Sequence, residues 1–251
     1  MRRLIAIGDI HGHYELLIEL MAEVAPTIDD LFVFLGDYVD RGPSSPAVLD
    51  WLIDFKQQFT QTVILRGNHE QMLLDAVAAV KRKSNRNMTW LDDFFALQRH
   101  RLPDPVLFFV SCGGMATLQS YHSGDLDADL TEAFLNIPQG HLDFLQQTQF
   151  YFTYDQFMFV HAGVNPKDPT GEKDEHNTLL WERRPLWKSD KNWDKVVVHG
   201  HTPVEVPYFD ATEINLDTGA GHSGCLTACN VLTRQVWQAP DLNKRNYPPF
   251  T

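Results

Sequence analysis

Three turns in the first seventy residues combine glycine with an acid or amide: Gly8-Asp9-Ile10-His11-Gly12, Gly36-Asp37-Tyr38-Val39-Asp40-Arg41-Gly42 and Gly67-Asn68-His69-Glu70. Two histidine turns follow in the second half, His161-Ala162-Gly163 and His199-Gly200-His201-Thr202. Carboxylate, carboxamide and imidazole brought together make a mixed oxygen and nitrogen site, which suits manganese, iron or zinc better than calcium. No cysteine accompanies them, which argues against a structural zinc cage. Singly, each Gly-Asp pair is ordinary loop punctuation. Five such turns carry chemistry only if the fold brings them together.

The elements around them predict that it does. Leu4–Ile7, Leu31–Leu35 and Val63–Leu65 are short apolar runs, as expected of strands buried on both faces, and each leads into one of the first three turns. Val160 and Val198 lead into the histidine turns in the same way. Between the first three runs, Leu16, Leu17, Leu20, Met21 and Val24 recur at helical spacing. Ser45-Pro46 reads as an N-cap and first-turn proline before a helix that turns Val48, Leu49, Leu52 and Ile53 inward. A third helix is predicted from Gln71 to Val80. Asp9 and Asp37 are 28 residues apart, and Asp37 and Asn68 31. A βαβ unit takes ~30 residues, so the three turns should leave one edge of a parallel sheet, where ligands of open α/β sheets bind.

Residues 83–150 are less regular, with helical patches at Trp90–Leu97, Leu130–Leu135 and Leu142–Gln147. They read as a helical cap inserted beside the sheet of a single domain spanning 1–251. From Tyr151 the pattern becomes β. A hairpin of Tyr151–Tyr154 and Phe157–Val160 is followed by strands at Val196–Val198, Thr212–Leu216, Leu226–Leu232 and Gln235–Gln238. Asn243–Thr251 reads as a tail.

The net charge of −12 argues against broad binding to nucleic acid or anionic membrane. No apolar stretch approaches the ~20 residues of a spanning helix, and Gly8-Asp9 ends the N-terminal apolar run too early for a signal peptide. Cys112, Cys225 and Cys229 form no C-x-x-C pair, and four residues of strand hold the last two ~13 Å apart, too far for a disulfide. A reducing compartment and a cytoplasmic protein are the expectation.

The segments GDIHGHYELL, GDYVDRGPSS, RGNHEQML, FVHAGV and HGHTPV resemble, in order and spacing, the motifs of the calcineurin-like metallophosphoesterases. The resemblance is to the phosphoprotein phosphatase (serine/threonine) branch of bacterial and phage type, related to the symmetrical diadenosine tetraphosphatases. It spans residues 3–82 and 157–219. It implies an α/β fold of two sheets packed as a sandwich, a βαβαβ core flanked by helices, and a small cap. It implies two divalent metal ions, manganese first and iron or zinc next. Asp9 and His11 would hold the first metal, Asp37 would bridge, and Asn68, His161 and His201 would hold the second. His69 would be the general acid, oriented by Asp40, and Arg41 would grip the phosphoryl oxygens. Arg183, with Arg184 close behind, is the choice for a second phosphate-binding arginine.

Charge agrees with that reading. Two divalent ions, less two carboxylates and a bridging hydroxide, leave about one positive charge for a phosphate dianion despite the acidic chain. Metal-bound water ionises near pH 7 rather than ~15.7. In extended chain Asn68 and His69 would point opposite ways, one to metal and one to the leaving group. Other residues read more plainly. His199 supports the site without holding metal, Glu70 supports the His69 turn, and Asp217 is structural. Cys112-Gly113-Gly114 and Thr117-Leu118 form a turn in the cap. Lys81, Arg82, Lys83 and Arg86 read as a solvated helix end favoured by the helix dipole, the alternative being a contact for a polyanionic substrate. The activity implied is hydrolysis of phosphate monoesters on a phosphorylated protein or small phosphoester. The alternatives are a symmetrical bis(5'-nucleosyl)-tetraphosphatase, whose motif usually reads GNHD rather than GNHE, and an inactive binding module. The module reading is opposed by the completeness of the ligand set.

Overall fold

The computed structural model describes residues 2–84, 104–122, 130–222 and 224–240. Strands β1 (Leu4–Ile7) and β2 (Leu31–Phe34) carry only apolar side chains, all buried. Both faces of their sheet must therefore be covered, and they are. On one face Leu4, Ala6, Val33 and Leu35 meet Phe157, Phe159, Val198 and Ile214 of a second sheet. On the other, Ile5, Ile7, Phe32 and Phe34 pack on Leu17, Leu20, Leu52 and Phe55 of α1 (Tyr14–Val24) and α2 (Ser45–Gln58). The pleat sends alternate residues to the two faces, which is why these strands read as unbroken apolar runs.

The first sheet has the order β10-β9-β1-β2-β3. β1 pairs in parallel with β2 and β2 with β3 (Thr62–Ile64). β9 (Cys225–Asn230) and β10 (Gln235–Pro240) extend it antiparallel. The second sheet has the order β4-β5-β6-β8-β7. Its centre, β5 (Phe157–Val160), β6 (Val196–His199) and β8 (Glu213–Asn215), is parallel. β4 (Tyr151–Tyr154) and β7 (Tyr208–Phe209) pair antiparallel at its edges. This is the two-sheet α/β sandwich implied by the resemblance. Among the described residues no helix is long and apolar enough to cross a membrane.

Three helical details differ from the sequence reading. Ser44, not Ser45, precedes α2. Ser45 is buried and its hydroxyl is engaged with Thr117, so it is unavailable to cap. Phe55 takes the inward place expected for Ile53, which is only half-buried. Helix α3 runs Asn68–Ser84 rather than starting at Gln71. Within residues 83–150, α6 (Leu130–Leu135) falls where expected and α7 (Gln139–Gln146) starts three residues before the expected Leu142, while α4 (Pro105–Phe109) and α5 (Met115–Tyr121) are not among the expected helices. Asp104 caps α4, accepting from the Val106 and Leu107 amides at 2.8 and 3.2 Å. The expected helix at Trp90–Leu97 and the tail at Asn243–Thr251 lie outside the described residues. Phe109, Leu118, Phe134 and Leu145 of the cap join the same apolar cluster as α1 and α2.

Trp51, Phe55 and Phe59 stack at i, i+4 spacing along α2, with ring centroids 4.6 and 4.4 Å apart. Phe32 and Phe34 meet Phe55 edge-on at 5.0 and 5.7 Å. Removing Phe55 opens the middle of this stack. Phe55→Ala should cost ~3–5 kcal/mol, each kcal/mol lowering the melting temperature by ~2–4 °C. Ile53→Ala, on the half-buried side, should cost distinctly less. Equal losses in calorimetry would contradict this account of α2.

Candidate metal centre

Backbone amides tie the first turn to the second and the fourth to the fifth. The Ile10 and His11 amides donate to the Asp37 carbonyl at 3.0 and 2.8 Å, and Gly42 N donates to His11 O at 2.9 Å. The Gly200 amide donates to the His161 carbonyl at 2.9 Å. Such tight turns need left-handed backbone. His11, Asp37, Asp40, Arg41 and His201 have φ of 49°, 55°, 73°, 65° and 62°, a region that costs non-glycine residues energy and clusters at functional sites. At Gly36, with φ 106°, a Cβ would lie 2.6 Å from Gly67 N and 2.9 Å from His161 Nδ1. Only glycine lets the second, third and fourth turns close on one another.

The third turn is the first turn of α3, and Gly67 immediately precedes it. The extended backbone expected at Asn68-His69 is therefore helical. Successive side chains step ~100° around the axis, which still sends Asn68 and His69 to different neighbours. Two carboxylates satisfy the open amides. Glu70 reaches back to Gly67 N at 2.9 Å, as in a capping box, and Asp37 Oδ1 accepts from His69 N at 3.1 Å. Glu70 also accepts from the amides of Asp37, Tyr38 and Val39 at 2.8, 2.7 and 3.3 Å. Burial first, then the charge of Asp37, pushes its carboxyl up to about 7.

Two groups of donors form, each within 4.8 Å: His11, Asp37 and His69, and Asp37, His161 and His201. Asp37 belongs to both. Asn68 Oδ1 joins the second group, 2.9 Å from His161 Nε2 and 3.0 Å from His201 Nδ1. Asp9 stands outside both groups, with its carboxylate against the His201 amide at 3.2 and 3.1 Å. Its carboxyl is raised well above the usual range by burial and by Asp217. Asp217, read from sequence as structural, does accept from Gly219 N at 3.0 Å, but it also faces Asp9, and burial raises it to about 6.

The donor chemistry fits cations. His11 Nδ1 lies 2.9 Å from the Val39 carbonyl, and His161 Nδ1 2.9 Å from that of Leu35. A carbonyl only accepts, so both Nδ1 atoms carry the proton, and each Nε2 presents a lone pair inward. Burial keeps both rings neutral by lowering their pKa, and takes His201 to about 3. His161 Nε2 then faces Asn68 Oδ1, Asp37 Oδ1 at 3.4 Å and His201 Nδ1 at 3.2 Å, with at most one proton among these four atoms. His201 Nε2 is buried with no partner. Converging lone pairs without donors repel unless a cation lies among them.

His69 stands beside this centre. Its Nδ1 is 2.6 Å from Asp40 Oδ2, and its Nε2 is 3.1 Å from Arg41. Burial disfavours the imidazolium, but Asp37 and Asp40 outweigh it and the net shift is upward. Arg41 also donates to His11 Nε2 at 2.7 Å. Thr117, which the sequence reading left in a cap turn, donates to Asp40 Oδ1 at 2.6 Å. His199 is engaged elsewhere, by Gly200 O at 3.0 Å and Glu213 at 2.9 Å.

The two arginines separate. Arg184 forks onto Glu182, with N and Nε at 2.9 and 3.0 Å from Oε1. Arg183 is exposed, and its charge adds to burial in lowering the pKa of His201; burial, then Arg41, His69 and Arg183, lowers that of His222, a residue not singled out in the sequence. Trp181 meets His201 edge-on at 6.2 Å. From there a groove of about 790 Å³ runs between Met72, Phe108, Trp181 and Glu175 to Arg82. Arg82, of the basic cluster at the end of α3, is exposed and lines this groove.

A family model described as calcineurin-like phosphoesterase matches residues 2–226. Serine/threonine-protein phosphatase 1 of Salmonella typhimurium is 34% identical over 238 residues, covering 92% of both chains. The asymmetrical bis(5'-nucleosyl)-tetraphosphatase PrpE of Halalkalibacterium halodurans is 25% identical over 248 residues, covering 88% of this chain and 87% of that one. A crystal structure described as a candidate diadenosine tetraphosphatase superposes with a TM-score of 0.63 at 21% identity, covering 96% of this chain and 94% of that one. With its two-sheet fold and the five turns converging on shared Asp37, this chain belongs to the calcineurin-like phosphoesterase family, whose members are divalent-metal hydrolases.

Proposed function

We propose that the chain hydrolyses phosphate monoesters of the phosphoserine or phosphothreonine class. The observation that carries the proposal is Asp37, shared by two groups of inward lone pairs with a protonatable His69–Asp40 pair alongside. Asp9, His11, Asp37, Asn68, His161 and His201 would hold two divalent ions, manganese first. When bound, such ions acidify water and neutralise phosphate charge. Arg41 and Arg183 bind phosphoryl oxygens. In drawing Arg41 to itself, the phosphate frees the His69 Nε2 lone pair, which takes up a proton from solvent and then delivers it to the leaving oxygen. Asp40 holds the opposite nitrogen and favours the protonated ring. The three free thiols, Cys112, Cys225 and Cys229, fit a reducing, cytoplasmic setting.

A second substrate class has a specific observation in its favour. The groove carries Phe108 and Trp181, with ring centroids 5.9 Å apart, and Arg82 at its rim. Aromatic faces and a cation suit a nucleobase and further phosphates, and the tetraphosphatase relative has that name.

Three results follow. Chelation should abolish phosphatase activity and Mn²⁺ should restore it. Asp37→Asn should be the most damaging ligand change because both donor groups lose charge. Full activity in protein shown metal-free by elemental analysis would refute the two-metal proposal. His69→Asn should keep metal content but lose ~10²–10⁴ in kcat on alkyl phosphates, and far less on nitrophenyl phosphate, whose leaving group needs no proton. Equal losses on both would remove His69 from the acid role. A phosphoserine or phosphothreonine peptide should show higher kcat/KM than diadenosine tetraphosphate. A preference of about tenfold the other way, ~1.4 kcal/mol, erased by neutralising Lys81, Arg82 and Lys83, would establish the second class instead.

A further inference from the structure

We propose that Thr117 is a positioning residue for the acid, so that the cap, and not the βαβ core alone, sets the proton delivered to the leaving group. The inference rests on the reading of His69 as that acid. Thr117 is fully buried. A hydroxyl has one proton and two lone pairs, and Thr117 uses them all. It donates to Asp40 Oδ1 at 2.6 Å, accepts from the Asp40 amide at 2.8 Å and lies 3.0 Å from the Ser45 hydroxyl. Because Thr117 occupies Oδ1, it is Oδ2 that meets His69 Nδ1 at 2.6 Å. One side chain thereby contacts both the backbone amide and the carboxylate of Asp40, a left-handed residue with φ 73° whose amide also donates to Ser45 Oγ at 3.3 Å.

The same stretch of cap also holds the next residue. Gly113 O accepts from Arg41 N at 3.2 Å. Gly113 has φ 105°, and even a Cβ there would lie 3.0 Å from Arg41 Cγ. Gly113, at a kink, and Thr117, four residues on, contact adjacent residues of the second motif, Arg41 and Asp40. Phosphate binding and proton delivery are therefore oriented from one segment, 113–117, that lies outside the five motifs. Phe108, a few residues earlier in the cap, lines the groove beside Trp181.

The test separates orientation from simple support of the fold. Thr117→Ser keeps the hydroxyl, and Thr117→Ala removes it from a side chain of nearly the same size as Ser. kcat should be measured on an alkyl phosphate and on nitrophenyl phosphate, with metal content by elemental analysis. Thr117→Ala should lose about tenfold or more on the alkyl ester, part of the ~10²–10⁴ available to an acid, and about twofold or less on the aryl ester, with metal content unchanged. Thr117→Ser should regain most of the alkyl activity. In a His69→Asn background, Thr117→Ala should cost nothing further, since residues acting as one unit are not additive. Equal losses on both esters, no difference between Ser and Ala, or a further loss on top of His69→Asn would overturn the proposal. If His69→Asn itself shows no leaving-group dependence, the acid reading fails and the Thr117 inference fails with it. If His69→Asn shows that dependence and Thr117→Ala does not, only the Thr117 inference fails.

Discussion

His11 and His161 each give one ring nitrogen to a backbone carbonyl, so the other faces inward as a lone pair, met at His11 by the Arg41 guanidinium and at His161 by Asn68 Oδ1 and Asp37 Oδ1. Much of the site follows from that constraint. Each buried polar atom left unpaired costs ~1–3 kcal/mol, and here, among the described residues, His201 Nε2 has no partner while around His161 Nε2 the acceptors outnumber the protons. The protein also accepts left-handed backbone at His11, Asp37 and His201 to keep them aimed. No packing advantage offsets such an arrangement in a dry interior. A family of divalent-metal hydrolases is where that expense makes sense, because the cation supplies what the lone pairs lack.

Glu70 shows how the pocket is held open against its own repulsion. Its carboxylate gathers amides from the second and third turns, and both of its oxygens are used. A buried acid pushed up to about 7 is an unfavourable choice in isolation. It is tolerated because four backbone N–H groups would otherwise be unsatisfied at the place where two loops and a helix start meet.

The convergence of the turns was legible because strand length and βαβ spacing are properties of local sequence. The start of α3 was not. Asn68-His69-Glu70 has little helical propensity, and its amides are capped by Asp37 from 32 residues away. The helices α4 and α5 have five and seven residues, too short for an 11–18-residue periodicity window to see, although Asp104-Pro105 was a visible start signal. Thr117 carries no local sign of its role because its partner lies 77 residues upstream. That Arg184 donates to Glu182 while Arg183 stands exposed appears only in three dimensions.

Asp9, Asp37 and Asn68 follow strands of the first sheet, whereas His161 and His201 follow strands of the second. Among the described residues no strand of one sheet pairs with a strand of the other, and the sheets touch through side chains such as Val33, Phe159 and Val198. The thickness of that apolar layer is therefore a ruler for the gap between Asp37 and His161. A cation gripping both would span the seam between the sheets. Metal affinity and core packing then become two readings of one length: thinning the layer by trimming Phe159 would detune the centre from a distance, and an ion of different radius would be felt as strain between the sheets.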